Sequence, residues 1–152
     1  MPSRRSIDAF LSQQHVAVVG MSRDPKQFAN AVATQLRQGG RTVYPVNPAT
    51  DVLNGERCYH TVAEVPEPLD GVLVMVNAKA AKEVVEACVS RGVPRVWLHR
   101  GAGPGAVSDE AVTLCRDAGI DVVDGACPLM FAEPVARFHR VHRWFAKRRF
   151  AA

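Results

Sequence analysis

Short runs of apolar, mostly β-branched residues recur along the chain at regular intervals. Five such runs lie at residues 15–20, 42–46, 71–76, 95–99 and 120–123. Their nearly continuous apolar character is typical of strands that are covered on both faces of a parallel sheet. The pattern therefore predicts five buried strands, and Trp97 within the fourth is expected to be a core residue.

The segments between these runs have a helical period. Apolar residues recur there at i, i+3, i+4 and i+7, which is typical of helices with one buried face. The stripes are Ala29, Val32, Ala33 and Leu36; Ala81, Val84, Val85 and Cys88; and Ala111, Leu114, Cys115 and Ala118. Glycines at positions 39–40, 92 and 119 follow these stripes and are suited to end helices. A leading helix is predicted over residues 6–13 and a closing helix over 133–148.

Alternating strands and helices predict parallel strands joined by right-handed crossovers. We expect one domain over residues 1–152, with a five-stranded parallel sheet of order 3-2-1-4-5 and helices on both faces. This is a Rossmann-like three-layer α/β/α architecture. The link at 47–70 is long and broken by prolines, and a short helix is predicted at 61–65.

Composition is that of a globular protein, with 47% hydrophobic and 22% charged residues. No apolar run approaches the ~20 residues that span a bilayer, and the basic start does not lead into a secretory signal. We expect a soluble cytoplasmic protein with no membrane partner. The four cysteines form no C-x-x-C pair, and Cys88 and Cys115 are interpreted as packing residues.

Positive charge is concentrated at the carboxyl end of the chain. The net charge is +4, and the six basic residues from Arg137 to Arg149 bring six charges with no acid after Glu133, which leaves −2 for the rest. The body is therefore not a general polyanion binder, and nucleic acid is not the expected partner.

An apolar stripe from Phe131 to Phe145 predicts docking onto the body, a second subunit (a homodimer) or a partner protein. Contact of the basic face with nucleic acid or anionic lipid stays an alternative. His139 and His142 have no apparent third ligand, so no metal is predicted.

Five loops should converge at the carboxyl ends of the predicted strands, where open α/β sheets bind ligands. They cover residues 20–26, 47–50, 77–79, 99–101 and 125–128. The first loop leaves a buried strand and enters a helix, whose amino-terminal N–H groups and dipole attract anions. A phosphate-bearing ligand is therefore predicted at this loop.

The first loop is not an ordinary dinucleotide fingerprint. Ser22 stands at the second glycine position of G-x-G-x-x-G, and Arg23 and Lys26 replace small residues. The second strand ends in Asn47-Pro48 instead of the acid that would bind a ribose 2′-hydroxyl. Two cations and a hydroxyl suit a ligand with more than a pyrophosphate. Simple turn chemistry at Gly20 and Asn47-Pro48, and a solvated loop at 23–26, remain alternatives.

In these residues the chain resembles the CoA-binding domain family, small Rossmann-like proteins similar to the N-terminal domain of the succinyl-CoA synthetase α subunit. The resemblance covers about residues 7–143. It is carried by Val18-Val19-Gly20-Met21-Ser22, Tyr44-Pro45-Val46-Asn47-Pro48, Gly55 with Tyr59, Asp70-Gly71-Val72, Val96-Trp97-Leu98-His99-Arg100-Gly101, Gly119, and 124–128 with Cys127-Pro128.

The resemblance implies that coenzyme A or an acyl-CoA is the small-molecule nucleotide cofactor. It places the first loop at the diphosphate, the second-strand loop at the adenosine and 3′-phosphate end, and Asn77 with His99-Arg100 beside the pantetheine. The synthetase-like branch often has a lysine near Thr50, and here Arg23 or Lys26 is the candidate substitute. The residues expected to bind the cofactor are Gly20, Met21, Ser22, Arg23, Lys26, Asn47, Pro48, Thr50, Asn77, His99, Arg100, Gly101 and Cys127.

No recognisable set of nucleophile, acid and base is present, so no catalytic residue is assigned. His99 is interpreted as a ligand contact before a general base, and Cys127 as a turn cysteine before a reactive thiolate. The synthetases that share this domain use additional domains, and this chain ends before such domains could begin. We therefore expect a non-catalytic CoA-binding module, a sensor or a carrier. The alternatives are an NAD(P)-binding enzyme or redox-sensing protein, and a nucleic-acid accessory protein that uses the basic tail.

Overall fold

The computed structural model describes residues 2–100 and 105–130. Helices and strands alternate there as the sequence predicts. The α-helices are α1 (Arg4–Leu11), α2 (Phe28–Gln38), α3 (Ala78–Arg91) and α4 (Asp109–Asp117). The strands are β1 (His15–Val19), β2 (Thr42–Val46), β3 (Val52–Leu53), β4 (Glu56–Arg57), β5 (Gly71–Val74), β6 (Arg95–Leu98) and β7 (Asp121–Asp124). Two short 3₁₀ helices cover Val62–Glu64 and Pro128–Met130.

Five of these strands form a parallel sheet, which confirms the predicted fold class. Their order is β2-β1-β5-β6-β7, and every neighbouring pair is parallel. The predicted order 3-2-1-4-5 is wrong. The third predicted strand, β5, pairs with the first strand and not with the second, so the five strands run 2-1-3-4-5.

Pro45 gives the physical reason for this order. Proline has no N–H to donate, and it is therefore confined to edge strands. In β2 the Pro45 carbonyl faces away from β1, where it accepts a hydrogen bond from the Tyr59 amide at 2.9 Å. A strand placed on that side of β2 would lack one ladder hydrogen bond, because Pro45 has no N–H to donate. By contrast Val72, Leu73 and Val74 of β5 are fully buried, as a central position requires.

The two faces of the sheet are covered by different helix pairs. Alternate side chains of β1 point to opposite faces, so Val16 and Val18 pack with α1 and α2, while Ala17 and Val19 pack with α3 and α4. Trp97 is fully buried with its ring edge-on to Phe10, their centroids 5.4 Å apart, which confirms it as a core residue. The three-layer arrangement follows from these two apolar clusters.

Side-chain caps set where three of the helices begin. Ser3, Asn77 and Ser108 each accept a hydrogen bond from a first-turn amide of α1, α3 and α4, respectively. Helix α2 differs, because its N-cap residue Gln27 makes no side-chain cap bond. Its start is therefore held by other contacts, which belong to the site described below.

The long link between β2 and β5 contains more structure than the sequence predicts. The short helix is present at Val62–Glu64, but the β3–β4 hairpin was not predicted. Asn54 and Gly55 at its turn both have positive φ angles, of 50° and 78°. Arg37 of α2 binds the hairpin through Glu56 at 2.5 Å, and Leu53 is buried in the α1–α2 cluster.

The predicted closing helix at 133–148, with its basic and apolar faces, lies outside the described residues. Within the described ranges, no helix combines the length and the apolar content that crossing a membrane requires.

Candidate functional site

The candidate site lies at the carboxyl edge of the sheet. Strand β1 lies between β2 and β5 in the sheet. The order in which strands are added to the sheet therefore reverses between β1 and β5. Ligands of open α/β sheets bind in the crevice outside such a switch point. The corrected strand order therefore places the crevice between the loops after β1 and β5, and the loop after β2 lies beside the loop after β1.

Gly20 lets the chain leave β1 at this crowded point. Its φ angle is +112°, and its amide donates to the Val46 carbonyl at 3.2 Å. A Cβ atom at position 20 would lie 2.5 Å from the Met75 carbonyl oxygen. Only glycine therefore allows the ends of β1 and β5 to approach this closely while the loop opens toward solvent.

Asn30, a buried residue in the first turns of α2, organises the loop after β1. Its Oδ1 accepts a hydrogen bond from the Ser22 amide at 3.0 Å, and its Nδ2 donates to the carbonyls of Ser22 and Asp24 at 2.6 and 3.0 Å. The Ser22 hydroxyl and the Asp24 carboxylate accept from amides within the same loop. The loop is thus held in one conformation by its own side chains.

This internal bonding changes which amides are available for an anion. The amides of Ser22, Asp24 and Lys26 already donate to Asn30 Oδ1, the Ser22 hydroxyl and the Asp24 carboxylate, respectively. The amides of Phe28 and Ala29, at the uncapped start of α2, have no acceptor among residues 2–100 and 105–130. The Met21 and Arg23 amides of the loop likewise have no acceptor there, so donors remain at the helix terminus and at two loop positions, while residues 23–28 are exposed.

Asn47 joins the loops that follow β1 and β2. Its Nδ2 donates to the Met21 carbonyl at 2.8 Å, and its Oδ1 accepts from the Ala49 amide at 2.8 Å. Met21 itself is buried, with 4% of its surface exposed. The asparagine that replaces the expected acid after the second strand therefore acts as a brace between two site loops.

The loops that follow β1 and β2 also meet through Arg23 and Thr50. One guanidinium nitrogen of Arg23 donates to the Thr50 hydroxyl at 3.0 Å, and that hydroxyl donates to the Val52 carbonyl at 2.8 Å. Thr50 is buried, whereas Arg23 is exposed. The bond holds a cation at the wall of an open groove of about 620 Å³. The groove is lined by Arg23, Pro48, Ala49, Thr50, Asp51, Val52 and His60.

His60, Asp51 and Val52 line this groove but were not among the predicted site residues. The His60 Nε2 lies 2.5 Å from an Asp51 carboxylate oxygen. The preceding residue, Tyr59, forms a β-bridge with Val46 and so brings this part of the chain alongside β2. No local sequence signal marks His60, because its position depends on a pairing across the long link.

A second part of the edge is formed by His99, which follows β6, and by Phe28, the first residue of α2. The His99 ring packs against the Phe28 ring with centroids 5.3 Å apart, and burial lowers the pKa of the His99 imidazole below its ordinary value. Its backbone carbonyl accepts from the Ala106 amide at 3.0 Å. Arg100 is exposed, and Gly101 lies outside the described residues. The His99 ring is thus an aromatic neighbour of the amino terminus of α2.

The remaining predicted residues lie farther along the edge. Asn77 caps α3, since its side chain accepts from the Ala80 amide at 2.9 Å. Cys127 is half-buried and follows Ala126, whose φ angle of 66° and bond to the Trp97 indole fix the loop after β7. Lys26 is exposed and does not line the groove.

The other cysteines are structural. Cys88 and Cys115 are fully buried between α3, α4 and the sheet, which confirms them as packing residues. Burial raises the pKa of the Cys88 thiol to about 12 and that of Cys115 to about 11. Burial also raises the pKa of the Cys58 thiol. These thiols are protonated at neutral pH and are poor nucleophiles.

The doubly wound parallel sheet, with an open helix terminus at its carboxyl edge and a cation-bearing groove between the loops after β1 and β2, defines a Rossmann-like α/β domain. The sequence profile of the CoA binding domain matches residues 14–133. The chain belongs to the CoA-binding domain family.

Two curated relatives illustrate the family. The chain is 34% identical over 130 residues to the α subunit of acetate–CoA ligase [ADP-forming] II of Pyrococcus furiosus, covering 80% of this chain and 28% of that one. It is 28% identical over 127 residues to the uncharacterized protein YneT of Bacillus subtilis, covering 83% and 91%. The chain therefore spans about a quarter of the ligase subunit and nearly all of YneT.

The solved structures agree with this assignment. A hypothetical protein from Pyrococcus horikoshii OT3 superimposes with a TM-score of 0.77 at 29% sequence identity, covering 84% of this chain and 88% of that one. The likeness in fold thus extends over most of a similarly sized protein.

Proposed function

We propose that the chain is a non-catalytic binding domain for coenzyme A or an acyl-CoA, acting as a sensor or carrier of that cofactor. The observation that carries the proposal is the Arg23–Thr50 hydrogen bond, which holds a guanidinium at the groove between two site loops. Charge-assisted bonds to phosphate are about twice as strong as neutral ones. Membership of the CoA-binding domain family supports the choice of cofactor.

The site residues divide naturally between the parts of such a cofactor. In this proposal the groove beside Pro48 and Thr50 takes the adenosine and 3′-phosphate, with Arg23 in place of the lysine expected near Thr50. The free amides of Phe28 and Ala29 take the diphosphate, because a helix terminus attracts anions. The pantetheine then runs past His99 toward Cys127.

Binding without chemistry accounts best for the groups at the edge. General acid–base catalysis requires an acid or base within hydrogen-bond reach of the group that exchanges the proton. In the part of the chain that the structure describes, neither the His99 ring nor the Cys127 thiol forms a side-chain hydrogen bond. His99 instead packs on Phe28, and its lowered pKa keeps the ring neutral near pH 7.

Thermal unfolding with different nucleotides tests the choice of ligand. CoA at about 100 times its Kd should stabilise the fold by about 2.7 kcal/mol, which corresponds to a rise in Tm of several degrees. NAD⁺, NADP⁺ and ADP at the same concentration should produce smaller shifts. Equal shifts for CoA and the dinucleotides, or none for CoA, would refute the proposal.

Substitution of Arg23 tests the groove itself. Arg23→Ala should weaken CoA binding roughly ten-fold in calorimetry, because a charge-assisted contact at an exposed site is lost. Dephospho-CoA, which lacks the 3′-phosphate, should be bound by the variant and the parent with similar affinity. Arg5→Ala removes the same charge from the exposed surface of α1 and serves as the matched control. A similar loss in both variants would show only a general charge effect.

A further inference from the structure

The outer wall of the groove contains an ion pair that the proposed function does not use. His60 Nε2 lies 2.5 Å from Asp51 Oδ1, with 44% of the histidine side chain and 85% of the aspartate side chain exposed. Both residues line the same groove as Arg23. An exposed pair of this kind contributes little to stability, so the partners can separate at small cost.

The charge of this wall depends on His60. Three charged side chains are near it in the described chain: Asp51 in direct contact, Glu64 through its bond to the His60 amide at 3.2 Å, and Arg23 across the groove. Arg23 and Asp51 have opposite charges, and Glu64 adds a negative charge at the His60 backbone amide. When His60 is protonated, its imidazolium gives the groove a second cation beside Arg23.

We propose that His60 is a phosphate-contact residue, which together with Arg23 binds the phosphate monoester of the ligand and exchanges its Asp51 partner for that phosphate. The inference rests on the proposed function, because it assigns a further contact to the same groove. A phosphate monoester has more negative charge than a carboxylate and more acceptor oxygens, so it is the stronger partner for an imidazolium.

This exchange makes ligand binding depend on pH. A phosphate beside the ring favours the protonated imidazole, so binding takes up protons and tightens as the pH falls. Protonation of the ligand phosphate and of other groups also changes with pH. The difference between the parent and a His60 variant, measured at each pH, cancels those contributions.

Calorimetry of the full chain and of His60→Gln tests the assignment. The parent should bind CoA about three- to ten-fold more tightly than the variant near pH 6, and with similar affinity near pH 8. Titrations in two buffers of different ionisation enthalpy should show proton uptake by the parent that the variant lacks. With dephospho-CoA, the parent and the variant should bind alike at both pH values.

Asp51→Asn provides a second, independent measurement. Removing the competing carboxylate should tighten CoA binding about two- to five-fold near pH 6, whereas a purely structural role for the pair predicts no gain. The unfolding midpoint of both variants should stay within a few degrees of the parent, because the pair is exposed.

Two results overturn the inference while the proposed function stands. One is CoA binding with the same pH profile in the parent and in His60→Gln. The other is an equal effect of His60→Gln on CoA and dephospho-CoA, which would exclude a contact with the monoester. If the parent binds no CoA at either pH, the proposed function itself fails.

Discussion

Gly20 shows how a single backbone position opens the site. Its amide bonds to the end of β2, and a side chain at this position would collide with the end of β5. The residue therefore lies where the ends of β1, β2 and β5 come together, and its positive φ directs the next residues out of the sheet. The exposed first loop follows from this one geometry.

Replacing Gly20 by alanine should destabilise the protein strongly. We expect the free energy of unfolding to fall by about 2–4 kcal/mol, from backbone strain and from the contact with the Met75 carbonyl. Urea denaturation measures this change. Gly40→Ala is the matched control, because Gly40 also has a positive φ, of +89°, but nothing lies within 4 Å of its added Cβ. Its loss should be about 1 kcal/mol, and equal losses would show that strain alone matters.

Among the elements, α2 has the largest part in the site although it lacks a side-chain cap. Asn30 binds the preceding loop back onto the helix, while the amides of Phe28 and Ala29 stay available. The helix therefore fixes the loop and presents free donors at the same terminus. This arrangement satisfies the polar groups of the loop without using up the end of the helix.

Asn30→Ala should separate these two roles. Three hydrogen bonds to Ser22 and Asp24 are lost, so we expect a decrease in unfolding free energy of about 2–3 kcal/mol and weaker CoA binding. Denaturation and calorimetry give the two values. Thr34→Ala, one turn along the same helix at an exposed position, should change both values little. Unchanged CoA affinity in Asn30→Ala would mean that the loop does not need this brace to bind.

At the scale of the whole molecule, charge divides the chain into two parts. The six basic residues from Arg137 to Arg149 have more positive charge than the entire protein has net, so the rest of the chain is slightly acidic. The candidate site belongs to that acidic part. In the proposed function, its affinity for phosphates must therefore come from local groups such as Arg23 and the α2 terminus.

A full-length variant with these six residues changed to glutamine tests this division. We expect it to lose retention on a heparin column, because sequence-independent binding to polyanions depends on net positive charge. The Tm rise with CoA should be unchanged. A loss of the CoA effect together with heparin retention would make the basic segment part of the cofactor site.

Much of the architecture was predictable because it depends on local patterns. Buried apolar runs and helical stripes located the five main strands and four helices, since each must bury one side of a regular element. The same patterns identified Trp97 and the cysteines at 88 and 115 as core. The loops of the carboxyl edge were found because parallel strands place their ends together.

The sheet order and the outer half of the site were decided by tertiary structure. Pro45 does indicate that β2 is an edge strand, but it does not indicate which strand is the neighbour of β2 on its other side. The bond from Arg23 to Thr50 and the place of His60 beside Asp51 join residues that are distant in sequence. Such contacts are set by strand pairing and loop packing, which a local pattern does not encode. The sequence by itself therefore determined the elements and the edge of the sheet where a ligand is expected, whereas the packing of the long link determined which side chains share the groove.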